Sequence, residues 1–238
     1  METRKRNFKI LIPNLFTAFS LISGLFALQF TFEREFVIAS WLIALSMLCD
    51  GLDGKLARYL NASSRFGALF DTLSDFVAFG VVPGFLAYKA GLYKIQYWGA
   101  IIAIFYVFSG GYRLIRFILK DNKKELKKSF IGLPIPAAAG LIASFIIFNF
   151  YYFKDILSPE LFIIIVFFSS ILMVSKIEYL KIEKRTKLSK ESKFFILLAL
   201  LSIIAALKYS FLVFGGWILI YTLYGILRQI IFSISKKK

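Results

Sequence analysis

Four aspartates stand where an apolar chain should have none. Asp50, Asp53, Asp71 and Asp75 lie within or at the edge of hydrophobic stretches, whereas the other ten acidic residues fall at helix ends or in loops. A carboxylate at the centre of a membrane helix costs about 2.5–3.5 kcal/mol on insertion scales, so four near one another need compensation. Asp50 and Asp53 are spaced i,i+3 and Asp71 and Asp75 i,i+4, which puts each pair on one helix face. A short connection over 59–66 makes the two helices antiparallel neighbours, so the faces meet. Facing carboxylates repel unless cations sit between them, and few basic residues lie at the same depth to act as structural partners. The chain has no His and a single Cys, Cys49. The donor set is therefore all oxygen and suits two hard divalent ions, Mg²⁺ or Mn²⁺.

The residues between the aspartates suggest what those ions would hold. Gly51 and Gly54 strip side chains from one helix turn, Ala57 keeps the next turn low, and Arg58 adds a fixed cation beyond it. Gly67, four residues before Asp71, clears more space. Metals and an Arg beside a bare helix surface suit a diphosphate. Glycines in membrane helices also serve close helix packing, and spacing alone does not separate the two uses.

The elements that must position these groups are membrane spans. Hydrophobic residues make up 59% of the 238 residues and the mean hydropathy is +0.74, more than one soluble core can hide. Apolar runs at 10–30, 35–57, 68–88, 96–118, 132–153, 160–175, 193–208 and 211–231 predict an all-α polytopic membrane protein of about eight transmembrane helices. The first run is too long for a signal peptide and is followed by further spans. No internal repeat or separate soluble domain stands out, so residues 1–238 read as one membrane-embedded catalytic domain. It comprises a basic flank at 1–9, a catalytic helix pair at 35–88, and basic loops at 119–131 and 176–192. With the N-terminus inside, 25 of the 30 Lys and Arg fall on inside segments; only Arg34, Lys89, Lys94, Lys154 and Lys208 fall outside. The positive-inside rule then puts both ends, and the aspartates, on the cytoplasmic side of the plasma (inner) membrane. The formal charge of +16 is thereby explained by topology, which argues against nucleic acid as a partner. The absence of His also excludes Ser-His-Asp and Cys-His nucleophile chemistry.

The stretch 50–75 resembles the signature of the CDP-alcohol phosphatidyltransferases, D-x-x-D-G-x-x-A-R, eight residues, then G-x-x-x-D-x-x-x-D. All eight fixed positions match: Asp50, Asp53, Gly54, Ala57, Arg58, Gly67, Asp71 and Asp75. The resemblance implies two divalent cations on the four aspartates and a CDP-lipid lying over the Gly54–Arg58 turn and Gly67. It also implies Asp75 as general base, and a homodimer. P-N-L-F-T at 13–17 is similar to the family's opening of helix 1, implying nucleotide contacts from Asn14 and Thr17; its other reading is a Pro-initiated, capped helix start.

Three further segments, S-G-G-Y-R-L-I-R-F (109–117), G-L-P-I-P-A-A-A-G (132–140) and M-V-S-K-I-E-Y (173–179), resemble the membrane-embedded branch of the family that uses serine. CDP-diacylglycerol and L-serine are then the implied substrates, and the bilayer the solvent. Arg113, Arg116, or the backbone from Gly132 through Pro134 to Pro136 would hold the serine carboxylate. Positive-inside flanking accounts equally well for the two arginines. Rival acceptors are glycerol phosphate and inositol, an archaeal ether lipid is a rival donor, and a cation transporter or a non-catalytic scaffold would come from another class. The 120–129 loop reads as a surface helix on anionic headgroups or as a solvated loop.

Overall fold

The computed structural model describes residues 2–60, 64–121, 129–180 and 212–231. Seven helices account for most of them: α1 (Glu2–Phe32), α2 (Phe36–Leu60), α3 (Arg65–Ala90), α4 (Tyr97–Asp121), α5 (Ile135–Phe153), α6 (Pro159–Val174) and α7 (Leu212–Ile231). All but α6 are long and apolar enough to cross a bilayer, and α6, at 16 residues, is shorter, as its apolar run implied. The expected span at 193–208, residues 122–128 of the 120–129 loop and residues 181–192 of the 176–192 loop lie outside the described residues. The chain is a polytopic helical membrane protein, with large apolar side chains such as Phe19, Leu48, Leu69 and Phe108 facing outward.

Helices α1 and α2 form the most extensive packed pair, and their connection shows how the turn is made. Arg34 takes a left-handed conformation (φ 64°), its N–H bonds the Thr31 carbonyl, and the Glu35 N–H reaches back to Phe30. This is a Schellman ending with Arg where glycine is usual. Between the two helices Ser46 Oγ donates to the Ser20 carbonyl at 2.9 Å and Ser23 Oγ to the Leu42 carbonyl at 2.7 Å. Small hydroxyl residues allow the backbones to approach and join them across the apolar interface.

Three features depart from the sequence reading. First, α1 begins at Glu2, so Pro13 sits inside the helix rather than near its first turn. Proline removes one ladder bond, and in an apolar surrounding the remaining backbone groups are still best paired helically. Second, α3 is interrupted directly after Asp75 by a π-helical turn, Phe76–Val81. The buried Tyr106 hydroxyl donates to the Phe79 carbonyl at 2.9 Å within that turn. Third, the chain is not purely helical: β1 (Ser129–Ile131) pairs antiparallel with β2 (Glu178–Leu180), with Phe130 opposite Tyr179. Helix α5 accordingly starts at Ile135 instead of 132. The ribbon brings the ends of α4 and α6 and the start of α5 to one end of the bundle.

The bundle is held close by glycines at helix crossings. A Cβ on Gly24 of α1 would lie 2.9 Å from the Ala78 Cβ and 3.0 Å from its Cα. Replacing Gly24 with Val should push α1 off α3 and destabilise the protein by about 1–3 kcal/mol, the usual cost of overpacking. A lowered thermal-unfolding midpoint in detergent would report it.

Candidate active site

Helix α2 carries Asp50 and Asp53 in its second half, and α3 carries Asp71 and Asp75 in its first three turns. Asp50, Asp53 and Asp71 each present a carboxylate oxygen, and these oxygens all lie within 4.8 Å of one another. The Asp75 carboxyl is within hydrogen-bond reach of Asp50. The four expected ligands are therefore brought together, with Asp53 buried and the others half-buried.

Helix α1 is the third wall. Thr17 is buried, and its hydroxyl donates to Asp53 Oδ2 at 2.8 Å. The Thr17 carbonyl in turn accepts from Ser74 Oγ at 3.2 Å, so one residue of α1 is tied to both acid-bearing helices. Asn14, one turn earlier, lies against the start of α3: a Cβ on Gly67 would come within 2.8 Å of Asn14 Oδ1. Gly67 is thus a close-approach glycine. Gly51 and Gly54 behave differently. A Cβ on Gly51 would meet nothing within 4 Å, and on Gly54 only the Arg58 guanidinium at 4.0 Å. Among the described residues these two pack against no helix; they leave open a strip of α2 surface bordered by the exposed Arg58 and half-buried Ala57.

The two arginines of α4 part company. Arg113 is 8% exposed, points inward, and lies within electrostatic reach of Asp75 and Asp50. Arg116 faces away from that cluster. Its guanidinium donates to four backbone carbonyls: Ile131 at 2.6 Å, Val174 at 2.9 Å, Ser175 at 3.1 Å and Met173 at 3.2 Å. A cation at the C-terminal end of α6 satisfies carbonyls the helix cannot pair itself. Gly132, with φ +82°, lies under this clamp, where a Cβ would run into Arg116 and the Met173 carbonyl. The Gly132 N–H is committed to the Ile177 carbonyl and the Leu133 N–H to Leu172, while Pro134 caps α5. Of the four residues expected to hold an acceptor, only Arg113 is joined to the aspartates.

Sequence reasoning missed Ser64, which caps α3 by accepting the Gly67 N–H at 2.9 Å; a Ser before the helical run was signal enough. It also missed Tyr221 of α7, within electrostatic reach of Arg113, for which no spacing rule exists.

The donor set fits hard divalent cations. Two carboxyl groups at hydrogen-bond distance need a shared proton or a cation between them, and this cluster offers oxygen alone, in a half-buried cleft. The fold and site thus define a multi-pass helical membrane protein with a cluster of carboxylates, able to hold a hard cation, at one end of its bundle. The profile of the CDP-alcohol phosphatidyltransferases matches residues 10–178, and the chain belongs to that family. It is 37% identical over 228 residues to a CDP-diacylglycerol–serine O-phosphatidyltransferase of Helicobacter pylori strain ATCC 700392 / 26695, covering 94% of this chain and 93% of that one. It is 35% identical to the Bacillus subtilis strain 168 protein of the same name (76% and 96% covered). It is 34% identical to an archaetidylserine synthase of Methanothermobacter thermautotrophicus (77% and 75% covered).

Two substitutions should separate cluster from clamp. Asp53→Asn relieves repulsion, so it should raise thermal stability in chelator while weakening Mn²⁺ binding by at least about ten-fold. Arg116→Lys should cost about 2 kcal/mol of stability and leave Mn²⁺ affinity unchanged. Thermal unfolding and Mn²⁺ titration by electron paramagnetic resonance would read both.

Proposed function

We propose that this protein transfers the phosphatidyl group of CDP-diacylglycerol to the hydroxyl of L-serine, releasing CMP and phosphatidylserine. The observation that carries this reading is the junction of the four-aspartate cleft with the inward-facing Arg113, in a chain whose relatives across nearly its full length bear that name. Asp50, Asp53, Asp71 and Asp75 would hold two divalent cations, Mg²⁺ or Mn²⁺, which supply neutralisation of the diphosphate charge. The open strip over Gly51, Gly54 and Ala57 admits the diphosphate close to the backbone, and Arg58 borders it with a cation for the phosphates. Asn14, Thr17 and Gly67 form the wall on which the nucleotide rests, Thr17 by orienting Asp53.

The acceptor enters from the α4 side. Arg113 pairs with the serine carboxylate and turns its hydroxyl toward Asp75. An alcohol is a weak nucleophile at neutral pH, and Asp75 is the carboxylate between Arg113 and the cluster that can take its proton. The serine oxygen forms a bond to the phosphorus bearing diacylglycerol, the bond from that phosphorus to the CMP oxygen breaks, and Asp75 passes its proton to solvent. Gly132 and Pro134, with Arg116, serve by holding α4, α6 and the ribbon in register, so that Arg113 stays aimed.

The topology belongs to the same proposal: eight spans in one domain, both termini and the active site on the cytoplasmic side of the inner membrane, and a homodimer. The charge asymmetry of the loops supports the orientation. Purified protein should release CMP from CDP-diacylglycerol in the presence of serine, lose this with chelator, and regain it with Mg²⁺ or Mn²⁺. Asp75→Asn should lower turnover by about 10²–10⁴-fold while partly retaining CDP-lipid binding. Equal CMP release with glycerol phosphate or inositol would overturn the choice of serine, and metal flux in liposomes without CDP-lipid binding would overturn the enzyme.

A further inference from the structure

Buried polar atoms without partners are rare in folded proteins, and each calls for a reason. Among the described residues four side chains carry one: Ser40, Ser109, Arg113 and Tyr179. Two of them share one face of α4: Ser109 (2% exposed) and Arg113 (8% exposed) are i,i+4, and both the Ser109 hydroxyl and the Arg113 Nε are unsatisfied. The third, Tyr179 on β2, is fully buried with its hydroxyl unpaired. It is linked to Arg113 through Tyr221 of α7, whose ring lies 5.7 Å from that of Tyr179 and which is also within electrostatic reach of Arg113. Gly225, one turn after Tyr221, lets the α7 backbone close onto the Tyr179 ring, fixing the two aromatic residues together.

We infer that Tyr221 and Tyr179 complete the acceptor pocket around Arg113 and select a small acceptor bearing a carboxylate, their hydroxyls donating to the anion that the guanidinium holds. This rests on the reading of Arg113 as acceptor-binding. Ser109, Arg113, Tyr179 and Tyr221 can all donate to an anion. A guanidinium offers donors in a fixed fork that matches a carboxylate, and hydroxyls can donate to the oxygen lone pairs the fork leaves free. Aromatic walls on the α7 side limit the pocket to a compact molecule, and their hydroxyls let it be polar without a second fixed cation. These groups come from α4, β2 and α7, so the pocket exists only when the ribbon and the last described helix are in place. The Arg116 clamp on the end of α6 is what sets the ribbon against α4.

The test uses the purified full chain in mixed micelles, comparing wild type with Tyr221→Phe and Tyr179→Phe, each of which removes one oxygen. CMP release is measured against serine at fixed CDP-diacylglycerol and the reverse, with thermal unfolding measured in the absence of both substrates. The KM for serine should rise by about ten-fold in each variant, the effect of losing one hydrogen bond to a charged group, while the KM for CDP-diacylglycerol stays put. Tyr179→Phe should not lower thermal stability, because its hydroxyl has no partner to lose within the protein. An unchanged serine KM in both variants would overturn the pocket, as would both KM values rising together with a drop in stability. Should wild type prefer another alcohol, the same variants are assayed with it: a raised KM for that alcohol keeps the pocket and rejects only serine, and an unchanged one rejects the pocket.

Discussion

Mutual repulsion among four carboxylates in an apolar bundle is the constraint on which the rest of this structure depends. No helical protein would place Asp50, Asp53, Asp71 and Asp75 within a few ångströms of one another for stability, since each loses hydration and gains only like charges as neighbours. The fold resists their separation through α1, where Thr17 alone is bonded to Asp53 on one side and to Ser74 on the other. The serine contacts between α1 and α2 and the Gly24–Ala78 crossing to α3 extend that hold along the helix. This repulsion is localised at one end of the bundle, and ordinary small-residue packing in the remainder opposes it.

Much of this was legible in the sequence because it depends on spacing. Helical periodicity alone puts Asp50 with Asp53 and Asp71 with Asp75, and an all-oxygen donor set follows from the absence of His. The spans were legible because a bilayer demands apolar length, and seven of the eight runs coincide with helices among the described residues. What the sequence could not separate was two uses of the same residue type. Gly51 and Gly54 face open space whereas Gly67 is pressed against Asn14, and all three look alike in a chain of letters. The difference is set by where α1 lies, which no local pattern encodes.

The arginines of α4 make the same point more sharply. Residues three apart lie about 4.5 Å apart along a helix axis and nearly on one face, so Arg113 and Arg116 were equivalent candidates. Their fates diverge because the end of α6 arrives beside the second and not the first, and its unpaired carbonyls claim the nearer guanidinium. The β1–β2 ribbon that accompanies this contact was missed for a related reason. Three-residue strands flanked by basic loops carry too little alternation to be seen, and they form here because two loop segments converge on one end of the bundle.

The division of labour that results has a physical logic. The groups proposed for the donor side come from α1, α2 and the start of α3, which are consecutive in the chain and tied together through α1. The groups proposed for the acceptor side come from α4, β2 and α7, which are distant in sequence, and Tyr221 of α7 reaches the field of Arg113 on α4. A diphosphate and its metals demand a fixed spacing of carboxylates, and consecutive helices provide the most rigid way to hold it. An acceptor is small and is distinguished by one or two hydrogen bonds, which side chains from separate elements can supply and which can change without disturbing the metal cleft. Asp75 joins the two halves: it lies on the α3 face shared with Asp71, reaches Asp50, and is within the field of Arg113. The π-helical turn begins immediately after it, so the side chain proposed as the base sits at the point where the helix changes pitch.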